Sequence, residues 1–184
     1  MKPLFALSLA LFAASSFVNI DRTALPELPN VYVYGPHLVS AGLPKSDDYA
    51  ALKSAGVDVV INVIPHHSKW DKENGFVPDP ASARSSGLTH YTVPFESAEP
   101  VATMEHFIAV MDRMSQTDQD VLVHCAVNWR ASGLVYLYHA IKTGKADKTE
   151  LKPWGDLEQA FAEAPNLKHF FDVVEAHYGL APAL

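Results

Sequence analysis

Residues 57–64, Val-Asp-Val-Val-Ile-Asn-Val-Ile, are almost continuously apolar and β-branched. Such a run suits a strand covered on both faces and suits a half-solvated strand poorly. It therefore calls for a sheet with helices on either side. The rest of the chain supplies them in alternation. Residues 31–35 and 38–42 read as short strands around a Gly-Pro turn, and residues 88–95 and 120–124 as two more. Pro44-Lys45-Ser46 opens a helix that runs through Tyr49 and Leu52 and stops near Gly56, and a shorter helix falls around residues 80–85. Met104, Phe107, Ile108 and Met111 recur at i, i+3, i+4, i+7, as do Leu134, Leu137, Tyr138 and Ile141 ahead of Gly144. A short helix around residues 157–161 precedes a C-terminal packing helix marked by Leu167, Phe170, Phe171 and Val174. This alternation predicts an α/β fold: a central, mainly parallel sheet of about four to five strands with helices on both faces. In such sheets ligands bind beyond the C-terminal strand ends, which is where Cys125 and the loops at 65–70 and 95–99 emerge.

With 184 residues, 48% of them apolar and 19% charged, the chain suits one soluble domain with a sizeable core. A net charge of −7 speaks against a nucleic-acid partner, which demands a basic surface, but leaves room for a small anion in a local positive pocket. Lys2, an apolar run from Leu4 to Ala14 broken only by Ser8, and small residues at Ala14-Ser15-Ser16 predict a signal peptide over residues 1–16. An uncleaved anchor is the other reading, because Phe17, Val18 and Ile20 extend the apolar stretch. The division that follows is 1–16 signal peptide, 17–30 extended lead-in and 31–184 domain. The expected location is outside the cytoplasm, periplasmic or secreted, with no stable membrane insertion after cleavage. A single cysteine allows no intrachain disulfide and leaves a buried hydrophobe, a reactive thiol or an intermolecular bond; its place at a strand end favours the reactive thiol.

That cysteine sits in His124-Cys125-Ala126-Val127-Asn128-Trp129-Arg130-Ala131-Ser132, where an apolar strand runs into a loop and then a helix-forming stretch. A helix mouth binds anions and favours a thiolate. The segment resembles the active-site loop of the cysteine-dependent tyrosine and dual-specificity phosphatases: His-Cys, five residues, Arg, then Ser or Thr. Here four residues separate Cys125 from Arg130. The likeness extends along the chain. Leu38-Val39-Ser40-Ala41-Gly42-Leu43-Pro44, Val59-Val60-Ile61-Asn62-Val63, Tyr91-Thr92-Val93-Pro94-Phe95 and His124-Cys125 follow the order of small bacterial phosphatase-like proteins. The first stretch is similar to the phosphatase-like domain found beside metallo-β-lactamase-type hydrolases.

The resemblance implies hydrolysis of phosphotyrosine or another phosphoester through a Cys125 phosphoenzyme. Arg130 would clamp the anion and His124 would hydrogen-bond around the loop. Ala126, Val127, Asn128, Trp129, Ala131 and Ser132 would surround the substrate. Three departures from the family pattern stand out. Counted without a gap, Ala131 falls in the arginine slot; the loop has no glycine, leaving Asn128 as the residue best able to adopt left-handed angles; and the 96–100 loop holds Glu96 and Glu99 but no aspartate. Glu96 is the candidate general acid and Glu99 the alternative. Trp129 either walls the pocket or packs as an edge hydrophobe. His66, His67 and Lys69 read as rim cations. None of the nine histidines has metal-ligand spacing, and no cofactor or metal is implied. The partner is a phosphorylated protein or a small anion, with the oligomeric state left open. Two other functions remain: a rhodanese-like sulfurtransferase using a Cys125 persulfide, since residues 125–130 span six positions, and an inactive anion-binding module.

Overall fold

The computed structural model describes residues 19–184, so the signal-peptide expectation for 1–16 lies outside the described residues. Five strands form one sheet: β1 (Tyr32–Val33), β2 (Leu38–Ala41), β3 (Val59–Asn62), β4 (Thr89–Thr92) and β5 (Val121–His124). Their order is β1-β2-β5-β3-β4, and every pairing is parallel except β1 with β2. The expected mainly parallel sheet is present, with β5 at its centre. Each strand is shorter than its apolar run in sequence, because flanking residues such as Val63 and Val93 stay buried past the last ladder position.

Register assigns the faces. Val59 lies opposite Val121 and Val60 opposite Leu122, so odd and even positions face different layers. Val59, Ile61, Val121 and Val123 pack into the larger core with Met104, Phe107, Leu134, Phe170 and Phe171. These come from α4 (Pro100–Gln116), α5 (Trp129–Thr143) and α7 (Pro165–Tyr178). On the other face Val39, Ala41, Val60 and Leu122 meet Tyr49 and Leu52 of α1 (Asp48–Ser54) and Ala83 of α3 (Pro80–Ser85). Ile20 and Leu28 of the lead-in pack into that second core.

The apolar spacing of α5 predicts one buried stripe, yet residues from Ala131 to Tyr138 are all buried. The helix is enclosed by β2, β5, α4, α7 and a 3-10 segment, Lys148–Trp154. Two further short helices, α2 (Lys69–Glu73) and α6 (Leu157–Glu163), complete the chain. Among the described residues no helix is long and apolar enough to cross a membrane.

Gly42 shows why the Ser-Ala-Gly stretch has that form. A Cβ there would come within 2.7 Å of the Pro29 side chain and 2.8 Å of the Ala126 carbonyl. Gly42→Ala is therefore expected to push the cysteine loop away from β2 and to lower unfolding free energy by about 2 kcal/mol; a urea midpoint unchanged from wild type would contradict this.

At the far end of the fold the Glu175 carboxylate of α7 accepts a hydrogen bond from the Ala183 amide at 2.9 Å. Burial pushes this carboxyl up to about 7, the Ala183 amide opposes that, and Asp172 adds to it. A raised acid favours the folded state while protonated, and that advantage is lost as pH rises from the ordinary value through about 7. Glu175→Gln keeps the acceptor and removes the ionisation. The variant should match wild type at pH 4 and exceed it by up to about 3 kcal/mol at pH 8 in urea unfolding.

Candidate active site

β5 ends at His124, and Cys125 follows with its amide on the Ala41 carbonyl at 3.3 Å. The thiol is 1% exposed and belongs to the larger core. Residues 126–128 then turn the chain into α5. Asn128 makes that turn in the left-handed region, φ 76°, the conformation expected of it in a loop without glycine. A reciprocal brace holds it. Asn128 Nδ2 donates to the Asn30 carbonyl at 2.5 Å, and Asn30 Nδ2 donates to the Val127 carbonyl at 3.1 Å.

Most of the loop's backbone donors are left free. Among the described residues, the backbone N–H groups of residues 126, 127 and 129–131 have no backbone acceptor, while the Gly42–Val127 bridge turns the Asn128 amide toward the Ala41 carbonyl; the first helical donor is Ser132, to the Asn128 carbonyl at 3.0 Å. Five unengaged amides, at residues 126, 127 and 129–131, lie at the mouth of a fifteen-residue helix and form a concentrated positive pole. Ala131 and Ser132 are buried; the Ser132 hydroxyl donates to the Asn128 carbonyl at 2.6 Å and accepts from Trp154 Nε1 at 3.0 Å. Their side chains therefore brace the loop from within, and only the Ala131 amide remains available to an anion.

Arg130 is held by Asp71, a carboxylate to which the sequence pattern assigns no part in the cysteine loop. Its two terminal nitrogens donate to both oxygens of Asp71 on α2, at 2.8 and 2.5 Å. The guanidinium is 14% exposed and the carboxylate 2%. Burial alone would raise the Asp71 carboxyl, but Arg130 and the Ser68 hydroxyl outweigh it and hold it below its usual range. Burial likewise works against the Arg130 charge, while Asp71 and the neighbouring Cys125 sulfur raise its pKa overall. The ion pair is thus fully charged, with the sulfur beside it. A signal for Asp71 was present in Ser68-Lys69-Trp70-Asp71, a capping spacing; Ser68 caps α2 by accepting from the Asp71 amide at 3.1 Å.

A cavity of ≈ 580 Å³ opens at this ion pair. Ser68, Trp70, Asp71, Val127, Trp129 and Arg130 form one side, and Glu163, Ala164, Asn166 and Leu167 at the α6–α7 junction form the other. Trp129 does both things its position allowed: it walls this cavity and stacks on Trp154, centroids 5.6 Å apart at 12°. Cys125 is buried and is not itself a lining residue, but its sulfur neighbours Arg130, which is.

Other candidates sit further off. Glu96 is exposed, and its backbone is tied to Thr103, whose hydroxyl donates to the Glu96 carbonyl at 3.2 Å. Glu99 is the residue ahead of α4 and is also exposed. Neither carboxylate lines the cavity. His124 is fully buried, and neither ring nitrogen has a partner among the described residues, so the hydrogen bond expected of it around the loop is absent. Burial, then His90, lowers its pKa to about 3, which keeps the ring neutral. His67 and Lys69 line no part of this cavity, and neither does His66, which faces a second one. Among the described residues no cluster of histidine, cysteine or carboxylate side chains could hold a metal ion.

No protein-family model matches the chain, and no curated protein matches it. Solved structures do. The "putative phosphatase (DUF442)" of Shewanella putrefaciens CN-32 is 32% identical, with 83% of this chain and 92% of that one covered and a TM-score of 0.66. A further structure of the Shewanella protein gives a TM-score of 0.67. TpbA of P. aeruginosa, at 16% identity and TM-score 0.55 over 82% of this chain and 91% of its own, shares the fold. A cysteine-to-serine form of TpbA has been solved with phosphotyrosine, and it aligns with a TM-score of 0.53. PTPMT1 also shares the fold, at 13% identity and TM-score 0.55 over 81% and 98% of the two chains.

Proposed function

Since this chain belongs to the DUF442 family, whose fold is that of the cysteine phosphatases, we propose that it hydrolyses a phosphoester through Cys125. The observation that carries this reading is the set of unengaged amides in the loop that follows Cys125, together with a charge-paired arginine that has the Cys125 sulfur beside it. Amides and guanidinium together supply the preorganised donors that a phosphoryl group requires.

In the proposed reaction the Cys125 thiolate attacks phosphorus; a sulfur–phosphorus bond forms as the bond to the leaving oxygen breaks. That oxygen takes a proton from solvent, since neither Glu96 nor Glu99 lines the cavity. Water then attacks phosphorus, returns a proton to solvent and releases orthophosphate, restoring the thiolate. Asp71 has the geometry of an orienting group and not of an acid: it is held ionised by Arg130 and fixes the plane of the fork. Trp70 and Trp129 give the cavity flat apolar walls suited to an aryl phosphate, and phosphotyrosine bound to the same fold in TpbA supports that substrate class. Export, read from residues 1–16, belongs to the same proposal.

The test pairs two assays on the purified protein. One follows phosphate release from an aryl phosphate, and the other follows thiocyanate from thiosulfate and cyanide. Phosphate release alone supports the hydrolase. Thiocyanate alone would overturn it in favour of sulfur transfer by the six-residue loop, and silence in both would favour a binding module.

A further inference from the structure

A second cavity, ≈ 350 Å³, lies against the opposite face of the sheet from Cys125. Asn62, His90 and Thr92 belong to its wall, and register puts all three on the face that carries Val60 and Leu122. Ile64, Pro65, Phe76, Val77, Pro78 and Pro80 make the remainder largely apolar. The volume is at the lower end of the range for small-ligand sites.

Its polar groups are few, and Asn62 Oδ1 is already committed to the Ile64 amide at 3.0 Å. His90 Nε2 is shut off from solvent and has no hydrogen-bond partner among the described residues. Burial, then Arg84, lowers the His90 pKa, which favours the neutral ring as part of the wall. Lys72 and His66 stand exposed on the wall, and Lys72 makes no ion pair with a described residue. Asp71, the wall's carboxylate, is already neutralised by Arg130. The cavity therefore presents an apolar floor and, in Lys72, a positive charge without an ion-pair partner among the described residues.

We infer that this cavity is a second binding site, for a small apolar or aromatic carboxylate whose charge meets Lys72 and whose body fills the pocket beside His90. The site is argued from its own walls and stands whether or not Cys125 hydrolyses phosphoesters. Its ligand differs from that of the larger cavity, because here no free row of amides and no arginine fork awaits a phosphate.

The test is an amide NMR titration of the purified protein with phenylacetate, with and without saturating orthophosphate, and with 2-phenylethanol as the uncharged counterpart. Saturable shifts at Phe76, Val77 and Thr92 that persist in orthophosphate are expected. Binding should weaken about threefold or more with 2-phenylethanol, and by a similar factor in Lys72→Met, an exposed change that leaves the core intact. His90→Phe should abolish saturation by filling the space. Absence of saturable shifts, shifts at Trp129 and Arg130 that orthophosphate displaces, or equal affinity for 2-phenylethanol would each overturn the inference. A failed phosphatase assay would leave these readings untouched, so the two proposals fall separately.

Discussion

Cys125→Ser is expected to lower phosphate release from an aryl phosphate by on the order of 10⁴-fold while leaving orthophosphate binding within about twofold of wild type. The two halves of that result have different physical origins. A serine hydroxyl in place of the thiol is not ionised near neutral pH, so no nucleophile remains to form the covalent intermediate. The anion-holding parts are untouched: the unengaged amides of the loop come from backbone, and Arg130 is held by Asp71. The substitution is close to isosteric in a buried position, so the loop should keep its shape. Steady-state kinetics and orthophosphate titration on the same preparation check it. Loss of both activity and binding would mean that the sulfur also supports the loop; retained activity would remove Cys125 from the mechanism.

Asp71→Ala should have the largest effect on stability, a loss of about 3 kcal/mol with kcat/KM down roughly 100-fold. The stability loss is the cost of leaving the Arg130 guanidinium, only 14% exposed, without its counter-charge. The kinetic loss follows from freeing the fork that Asp71 holds through two hydrogen bonds. A double variant separates these effects. Adding Arg130→Met to Asp71→Ala removes the stranded charge, so much of the stability should return while activity stays lost. If the double variant is as unstable as the sum of the two singles, the pair is not coupled in the way its geometry indicates. Urea unfolding at fixed pH, read beside kcat/KM, settles the comparison.

The strand-helix alternation, the parallel sheet and the place of Cys125 were legible because they rest on long-range periodicity. Residues 57–64 could hardly be anything but a central strand, and β5 could end only where apolar character gives way to His-Cys. Asn128 was legible for a different reason: a tight loop without glycine has few residues able to turn left-handed. Asp71 was not, because α2 is a five-residue polar helix, Lys-Trp-Asp-Lys-Glu, with no apolar stripe to announce it. Its partner lies 59 residues away, a pairing that no local pattern encodes. The 3-10 segment that delivers Trp154 onto Ser132 escaped for the same reason. His124 shows the reverse case. Its expected hydrogen bond follows from the motif, but the face it takes in the sheet leaves the ring in an apolar layer without a partner.

The chain has three tryptophans, and all of them are at the larger cavity or one ring away from it. Trp70 and Trp129 form its walls, and Trp154 stacks on Trp129 at 5.6 Å. Intrinsic emission from this protein is therefore light from one place, with no indole elsewhere to dilute it. The near-parallel Trp129–Trp154 pair should also give an exciton couplet in circular dichroism, sensitive to any tilt at the start of α5. Ligand entry at Arg130 can then be followed optically in unlabelled protein, and an occupant of the second cavity would register chiefly through Trp70, whose ring stacks on Phe76 at 5.5 Å.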